Sequence, residues 1–329
     1  MSEFTLNHEG LDIGKRQFTY PSCDGTVDIS AWIWTPAPDG DGSPHPIGIV
    51  QIVHGMLEHI GRYDDMARTL AANGYIVVGN DHRAHGDSVK SPEDRGVMPL
   101  KGGDRIWIED VHQLRKLVTE ELGTELPYFM LGHSMGSFIT RAYLAQPAKA
   151  TGLAGAIIEG TGNPPNAAGK IGKILAGVEG KTRGDRYRDR LVTRMVIGPY
   201  VRSVENPRTP NDWLSRDDAV VDAYRADPLC RFRFATGAFK SLFSLVIFTS
   251  SQASADALPK DLPILIASGE CDPVGDMGKA PRLFKKMCDK AGVADVELKM
   301  YEGARHELHN ELNQDEFKTD VLDWLARHI

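Results

Sequence analysis

Short apolar runs separated by longer amphipathic stretches run through most of the chain. Ile29 to Trp34 reads as an early strand, and a turn-rich segment from Pro36 to Pro44 follows it. Then alternation sets in: a strand at Ile47 to Val53, a helical pattern from Arg62 to Asn73, and a strand at Tyr75 to Gly79. Asp104 to Leu122 places Ile106, Ile108, Val111, Leu114, Leu117 and Val118 on one helical face. A strand at Pro127 to Leu131, a helix at Ser134 to Gln146 and a strand at Leu153 to Ile158 continue the series. Continuous apolar strands alternating with helices are the pattern of a mostly parallel sheet covered on both faces, an α/β fold.

The alternation stops after Gly160-Thr161-Gly162-Asn163-Pro164-Pro165 and resumes at Pro263 to Ser268. A helix near Lys279 to Gly292, a strand at Val296 to Tyr301 and a last helix around Phe317 to His328 complete the chain. The intervening stretch has no clear strand. It carries basic residues from Lys170 to Arg208 and then a group of apolar and aromatic residues at Phe232, Phe234, Phe239, Leu242, Phe243 and Phe248. The expected organisation is a core of residues 1–162 and 257–329 with a mainly helical cap inserted at 163–256.

Composition narrows the class without changing that picture. With 329 residues, 41% hydrophobic and 25% charged, the chain has the balance of an ordinary globular protein. A net charge of -7 disfavours nucleic acid as a partner, since phosphate binding needs a concentrated basic surface. Cys23, Cys230, Cys271 and Cys288 show no C-x-x-C spacing, so neither a zinc site nor a dithiol is indicated and free thiols are expected. No apolar run reaches the roughly 18 residues of a membrane span, and Met1 to Asn7 lacks the basic start and apolar run of a secretory signal. The cytosol is the expected location.

The candidate chemistry lies in Gly132-His133-Ser134-Met135-Gly136. G-x-S-x-G alone is a weak pattern, but here it follows a buried strand and opens a helix, the setting of a nucleophile elbow. The turn is so tight that side chains two before and two after the serine would meet backbone. A serine hydroxyl needs a base to take its proton and a carboxylate to orient that base. Asp272 follows one late strand and His306 the next, in the order nucleophile, acid, base. Glu270, Asp276 and Asp110 compete with Asp272, and His309 competes with His306. Ordinary structural roles are expected for His8, His45 and His328. The oxyanion of an acyl-transfer intermediate needs two backbone donors, expected at Met135 and, after the first long strand, at Met56.

Assembled, these residues resemble the monoglyceride lipase and lysophospholipase branch of the α/β-hydrolases. The resemblance runs through His54-Gly55-Met56-Leu57-Glu58-His59-Ile60-Gly61-Arg62-Tyr63, the stretch Asn80 to Ser88, the elbow, and His306-Glu307-Leu308-His309 with its continuation to Leu312. It implies the triad Ser134, Asp272 and His306, the oxyanion hole Met56 and Met135, and a polar cluster of Glu58, Arg62 and His309 that receives a glycerol head group. A salt bridge fixing a helix start is the alternative role for Glu58 and Arg62. His82, Arg83, His85 and Asp87 are expected to brace the surrounding loop. The implied substrate is a small-molecule ester, a monoacyl lipid, cleaved without metal or organic cofactor. The basic stretch of the cap points to peripheral contact with a membrane surface or, as the alternative, to a solvated helical face. Two rival functions are an esterase, thioesterase or aminopeptidase acting on a non-lipid substrate, and a catalytically silent binding protein. The elbow departs from many relatives in ending Gly136-Ser137.

Overall fold

A computed structural model describes residues 4–38, 42–122, 125–164 and 166–329. Positions 39–41 of the turn-rich segment, Pro165 of the loop after Ile158, and residues 1–3 of the N-terminal stretch lie outside the described residues.

Eight strands form one sheet: β1 (Gly14–Pro21), β2 (Asp28–Thr35), β3 (Gly48–Val53), β4 (Tyr75–Asn80), β5 (Tyr128–His133), β6 (Gly155–Glu159), β7 (Ile264–Gly269) and β8 (Val296–Tyr301). Their spatial order is β1-β2-β4-β3-β5-β6-β7-β8. β1 and β2 are antiparallel, β2 meets β4 antiparallel, and every later pairing is parallel. β3 to β7 are buried along their whole length, as their unbroken apolar runs require of strands covered on both faces. β1 is the strand that the hydrophobic pattern does not predict. It lies at the edge, and five of its eight positions are exposed, so it carries no apolar run.

Helices α1 (Asp64–Ala72), α2 (Gly103–Leu122), α3 (Met135–Leu144) and the short α4 (Pro147–Ala150) connect β3 to β4, β4 to β5 and β5 to β6. Between β6 and β7 lie α5 (Asn166–Arg183), α6 (Arg190–Arg202), α7 (Asp218–Ala226), α8 (Thr236–Thr249) and α9 (Gln252–Asp256), with no strand among the described residues. α10 (Lys279–Ala291) precedes β8, and α11 (Gln314–Ala326) ends the fold. One face of the sheet packs on α2, α3, α8 and α10 through Trp107, Phe138, Phe239 and Phe284. The other packs on α1 and α11 through Met66, Leu70, Phe317 and Trp324.

Arg141 of α3 joins the helical excursion to the sheet. It is 2% exposed. Its guanidinium donates to Thr161 Oγ1 and the Gly162 carbonyl at 3.0 Å, to Asn163 Oδ1 at 3.2 Å and to the Thr249 carbonyl at 2.6 Å. The Phe284 ring lies 3.8 Å away. Burial lowers its pKa to about 9.

Candidate active site

Ser134 sits between β5 and α3 with φ 53° and ψ -118°, in backbone space that a non-glycine residue rarely enters. Local packing imposes that conformation. A Cβ on Gly136 would stand 1.8 Å from the Val53 carbonyl oxygen, and one on Gly132 would stand 2.3 Å from Thr140 Oγ1 and 2.6 Å from the Gly136 oxygen. The Ser134 N–H donates to the Glu159 carbonyl at 3.0 Å, and Ser137 Oγ donates to the Ser134 carbonyl at 2.5 Å. Ser137 therefore adds a brace to the turn.

Two loops bring the expected partners to this serine. Ser134 Oγ donates to His306 Nε2 at 2.8 Å, and His306 Nδ1 donates to Asp272 Oδ1 at 3.0 Å. Asp272 is buried, and its Oδ1 also accepts from the Val274 N–H at 2.9 Å. The His306 and Glu307 amides both donate to the Leu214 carbonyl, at 3.1 and 2.8 Å, which fixes the loop after β8. Burial opposes a charge on His306. Asp272, aided by Glu307 and Glu159, outweighs it, and the imidazole pKa is raised. A hydroxyl aligned on an imidazole that is held by a buried carboxylate can lose its proton to that imidazole as it attacks a carbonyl.

The competing residues stand elsewhere. Asp110 is buried against Ser22 and the Cys23 amide, with no bond to the serine or histidine. Glu270 is exposed, and Asp276 lies at the cavity wall with φ 49°. His8 pairs with Asp65, and His328 pairs with Asp295 and the Trp324 carbonyl.

Met135 is the first residue of α3, so its N–H has no acceptor within the helix and points from the positive end of the helix dipole. Met56 lines the same cavity from the loop after β3. That loop is pinned by Glu58 Oε1, which accepts from the Gly55 N–H at 2.5 Å, and by Leu57 in left-handed conformation at φ 61°. His82 donates its amide to His54 Nε2 and bonds the His54 carbonyl, at 2.9 and 3.0 Å, while His85 packs edge-on against Trp107, Phe232 and Phe234. Arg83 pairs with Asp24, and the Asp87 amide donates to Asp81, so all four residues brace loops as expected.

Of Glu58, Arg62 and His309, the structure joins the first two and sets the third apart. Arg62 donates to Glu58 at 2.6 Å and, through both terminal nitrogens, to Glu307 at 2.7 and 2.6 Å. Glu58 and Glu307 reach the cavity wall, and Arg62 does not. Burial alone would raise the Glu307 pKa, but Arg62 holds it down at about 2. Glu58 is likewise held well below the carboxylate range, by His133 and Arg62. His309 is 1% exposed and absent from the cavity wall. Its Nδ1 bonds Glu159 Oε1 at 2.8 Å, and its ring stacks on Tyr63 at 4.4 Å. Glu159, buried at the end of β6, needs a donor, and His309 supplies it, which draws the ring away from the cavity. No local spacing in the sequence marks a role for Glu159, Glu307, Tyr63 or His133. A glutamate closing a fully apolar strand was the available signal for Glu159.

Above the serine opens a cavity of about 640 Å³. Met195 and Val196 of α6, Leu242, Phe243 and Val246 of α8, and Leu283 of α10 make much of its apolar lining.

The family described as serine aminopeptidase, S33, matches residues 44–313. A monoacylglycerol lipase of Mycolicibacterium smegmatis is 29% identical over 313 residues, covering 93% of this chain and 95% of that protein. The human monoglyceride lipase is 30% identical over 278 residues, covering 81% and 78%. The crystal structure of a thermostable carboxyl esterase from Bacillus coagulans in complex with glycerol superposes with a TM-score of 0.86 at 32% identity, covering 96% of this chain and 99% of that one. The chain belongs to the serine aminopeptidase S33 family of α/β-hydrolases, in its monoglyceride lipase-like branch.

Proposed function

We propose that this protein is a lipase-type serine ester hydrolase acting on monoacyl lipids, with Ser134, His306 and Asp272 as its triad. The hydrogen-bonded series from Asp272 through His306 to Ser134, open to an apolar cavity, carries the reading. Ser134 attacks the ester carbonyl as His306 takes its proton. The N–H groups of Met56 and Met135 receive the oxyanion, and His306 passes the proton to the departing alcohol. Water then attacks the acyl-enzyme by the same route, releasing the acid.

An apolar cavity of this size suits an acyl chain, each buried methylene contributing about 0.8 kcal/mol. Residues 163–256 serve as a cap that closes the chain-binding space. An aminopeptidase would need a free carboxylate to hold the substrate amine, and of the three acids at the wall Glu58 and Glu307 are both paired with Arg62, while Asp276 pairs with Lys279. Carboxylic ester hydrolysis therefore fits better than peptide cleavage. Ser134→Ala is expected to abolish fluorophosphonate labelling and to lower ester hydrolysis at least roughly 10⁴-fold. Full activity in that variant, or activity confined to acetyl esters in a monoacylglycerol chain-length series, would reject the reading.

The cap also has a face suited to a lipid surface. Ile171, Ile174 and Val178 of α5 and Leu191 of α6 are more than half exposed, beside exposed Lys170, Lys181, Arg190 and Arg194. Met195, 47% exposed, belongs to both this face and the cavity wall. Apolar groups rimmed by basic ones bind anionic interfaces. Flotation with phosphatidylserine vesicles is expected to carry the protein, and Ile174→Glu with Leu191→Glu to release it. Equal flotation of both proteins would reject the contact.

A further inference from the structure

Around His306 lies a buried group of ionisable side chains that triad chemistry does not require; Glu58, His133 and Glu307 reach the cavity wall, whereas Glu159 and His309 do not. Glu159 ends β6, beside the elbow, and is fully buried. Its main-chain oxygen holds the Ser134 amide, and its Oε1 accepts from both the ring and the amide of His309, at 2.8 and 3.4 Å. Its Oε2 has no partner.

His133 fills the space between this pair and the catalytic histidine. Its ring lies 4.7 Å from that of His306 and 5.0 Å from that of His309. Its Nε2 faces the His306 carbonyl at 3.3 Å, and its Nδ1 faces the Tyr63 hydroxyl at 2.8 Å and Glu58 Oε1 at 3.3 Å. The Tyr63 hydroxyl donates to Glu58 at 2.8 Å, so both ring nitrogens of His133 meet acceptors and the doubly protonated ring satisfies them all. The cations Arg62 and His133 then stand against the carboxylates of Glu58, Glu307 and Glu159. One negative charge remains, in addition to Asp272.

We infer that Glu159 is a positioning residue for the proposed reaction: its buried carboxylate, held by His309, is a second negative charge that favours the His306 cation formed when Ser134 attacks. The surroundings of His306 are consistent with this. Asp272 faces it from the loop after β7 and Glu307 adjoins it; the His133 cation, its ring 4.7 Å away, opposes the His306 charge, and Asp272, Glu307 and Glu159 outweigh it. Trp213 and Tyr200, from the cap, bring no formal charge, and Arg305 turns away to the carbonyls of Asp212 and Ser215. Charges buried at this depth act on one another with little screening.

The inference rests on the serine hydrolase reading, which loss of ester hydrolysis in Ser134→Ala tests separately. Its own test is the acid limb of kcat/KM against pH, where His306 gains the proton that disables it as a base. Glu159→Gln keeps the shape and an acceptor for His309 but removes the charge. It is expected to move the limb to lower pH by roughly half a unit or more, and to reduce kcat at the plateau several-fold. Glu159→Asp keeps the charge and is expected to restore the limb. His309→Gln leaves Glu159 ionised with an amide donor, and its limb is expected to stay at the wild-type position, which provides a test should Glu159→Gln fail to fold. A wild-type limb in Glu159→Gln, the same downward displacement in Glu159→Asp, or a downward displacement in His309→Gln would overturn the inference.

Discussion

Ser134 holds a backbone conformation of a kind that costs on the order of 1–3 kcal/mol, and the surrounding atoms leave it no relaxed alternative. Gly136 is the decisive neighbour, because the Val53 carbonyl occupies the space a side chain would need. Gly136→Ala must therefore displace either β3 or the start of α3, which carries the Met135 amide. We expect it to lose at least about 1–3 kcal/mol of stability and most of its ester hydrolysis. Thermal melting with an activity assay checks both, and a variant with wild-type melting would contradict the packing described. Ser134, Asp272 and His306, which the fold brings into one hydrogen-bonded series, were legible as candidates because each follows a strand that can be read from an apolar run. The polar network below them was not. Glu159, His309, His133 and Tyr63 meet through folding alone, with no local spacing to mark them, and a histidine three residues after His306 reads equally well as facing the cavity or facing away.

At the scale of elements, the parallel strands and their helices were legible because burial on both faces demands continuous apolar runs. β1 was not, since Gly14–Pro21 needs only main-chain pairing with β2. The helices between β6 and β7 could be recognised as an interruption in the strand pattern, but not how they pack. That depends on close approaches such as Gly172 of α5, where a Cβ would come within 2.5 Å of the Phe243 ring of α8. Both residues line the cavity. Gly172→Ala is expected to gain about 0.5–1 kcal/mol from helix propensity while pushing Phe243 into the chain-binding space. Hydrolysis of long-chain monoacylglycerols should then fall relative to short-chain ones. An unchanged ratio in a chain-length series would show that the ring turns elsewhere.

For the molecule as a whole, the join between the helical excursion and the sheet is expected to respond to acid. His54, His82 and His85 are stacked together and buried, and His85 packs on Phe232 and Phe234 from the excursion. Burial lowers all three pKa values, that of His82 to about 4 and that of His85 to about 3. An unfolded chain takes up these protons near pH 6.5. The stability linked to His85 is thus fully present above about pH 6.5 and is lost as pH falls toward 3. His306 and His133 have the opposite sign, their pKa values being raised, and so do Asp81 and Asp110, each raised to about 6. Comparing variants cancels those shared contributions. His85→Asn should melt lower than wild type at pH 7 yet lose less on going to pH 5, and parallel melting curves across that range would remove His85 as the cause.

Arg141 has a consequence for how the chain is assembled. Its one guanidinium bonds the point where the excursion departs, at Thr161 to Asn163, and a point near its return, at Thr249. Two chain positions nearly ninety residues apart are thereby fastened to the same side chain, so the sheet meets the intervening helices as a closed loop with neighbouring ends. Closing such a loop becomes only slowly harder as it lengthens, by about 0.6 kcal/mol per doubling. The sheet and its elbow can therefore accept an inserted segment of very different length at this junction, with little change in the cost of holding its two ends together.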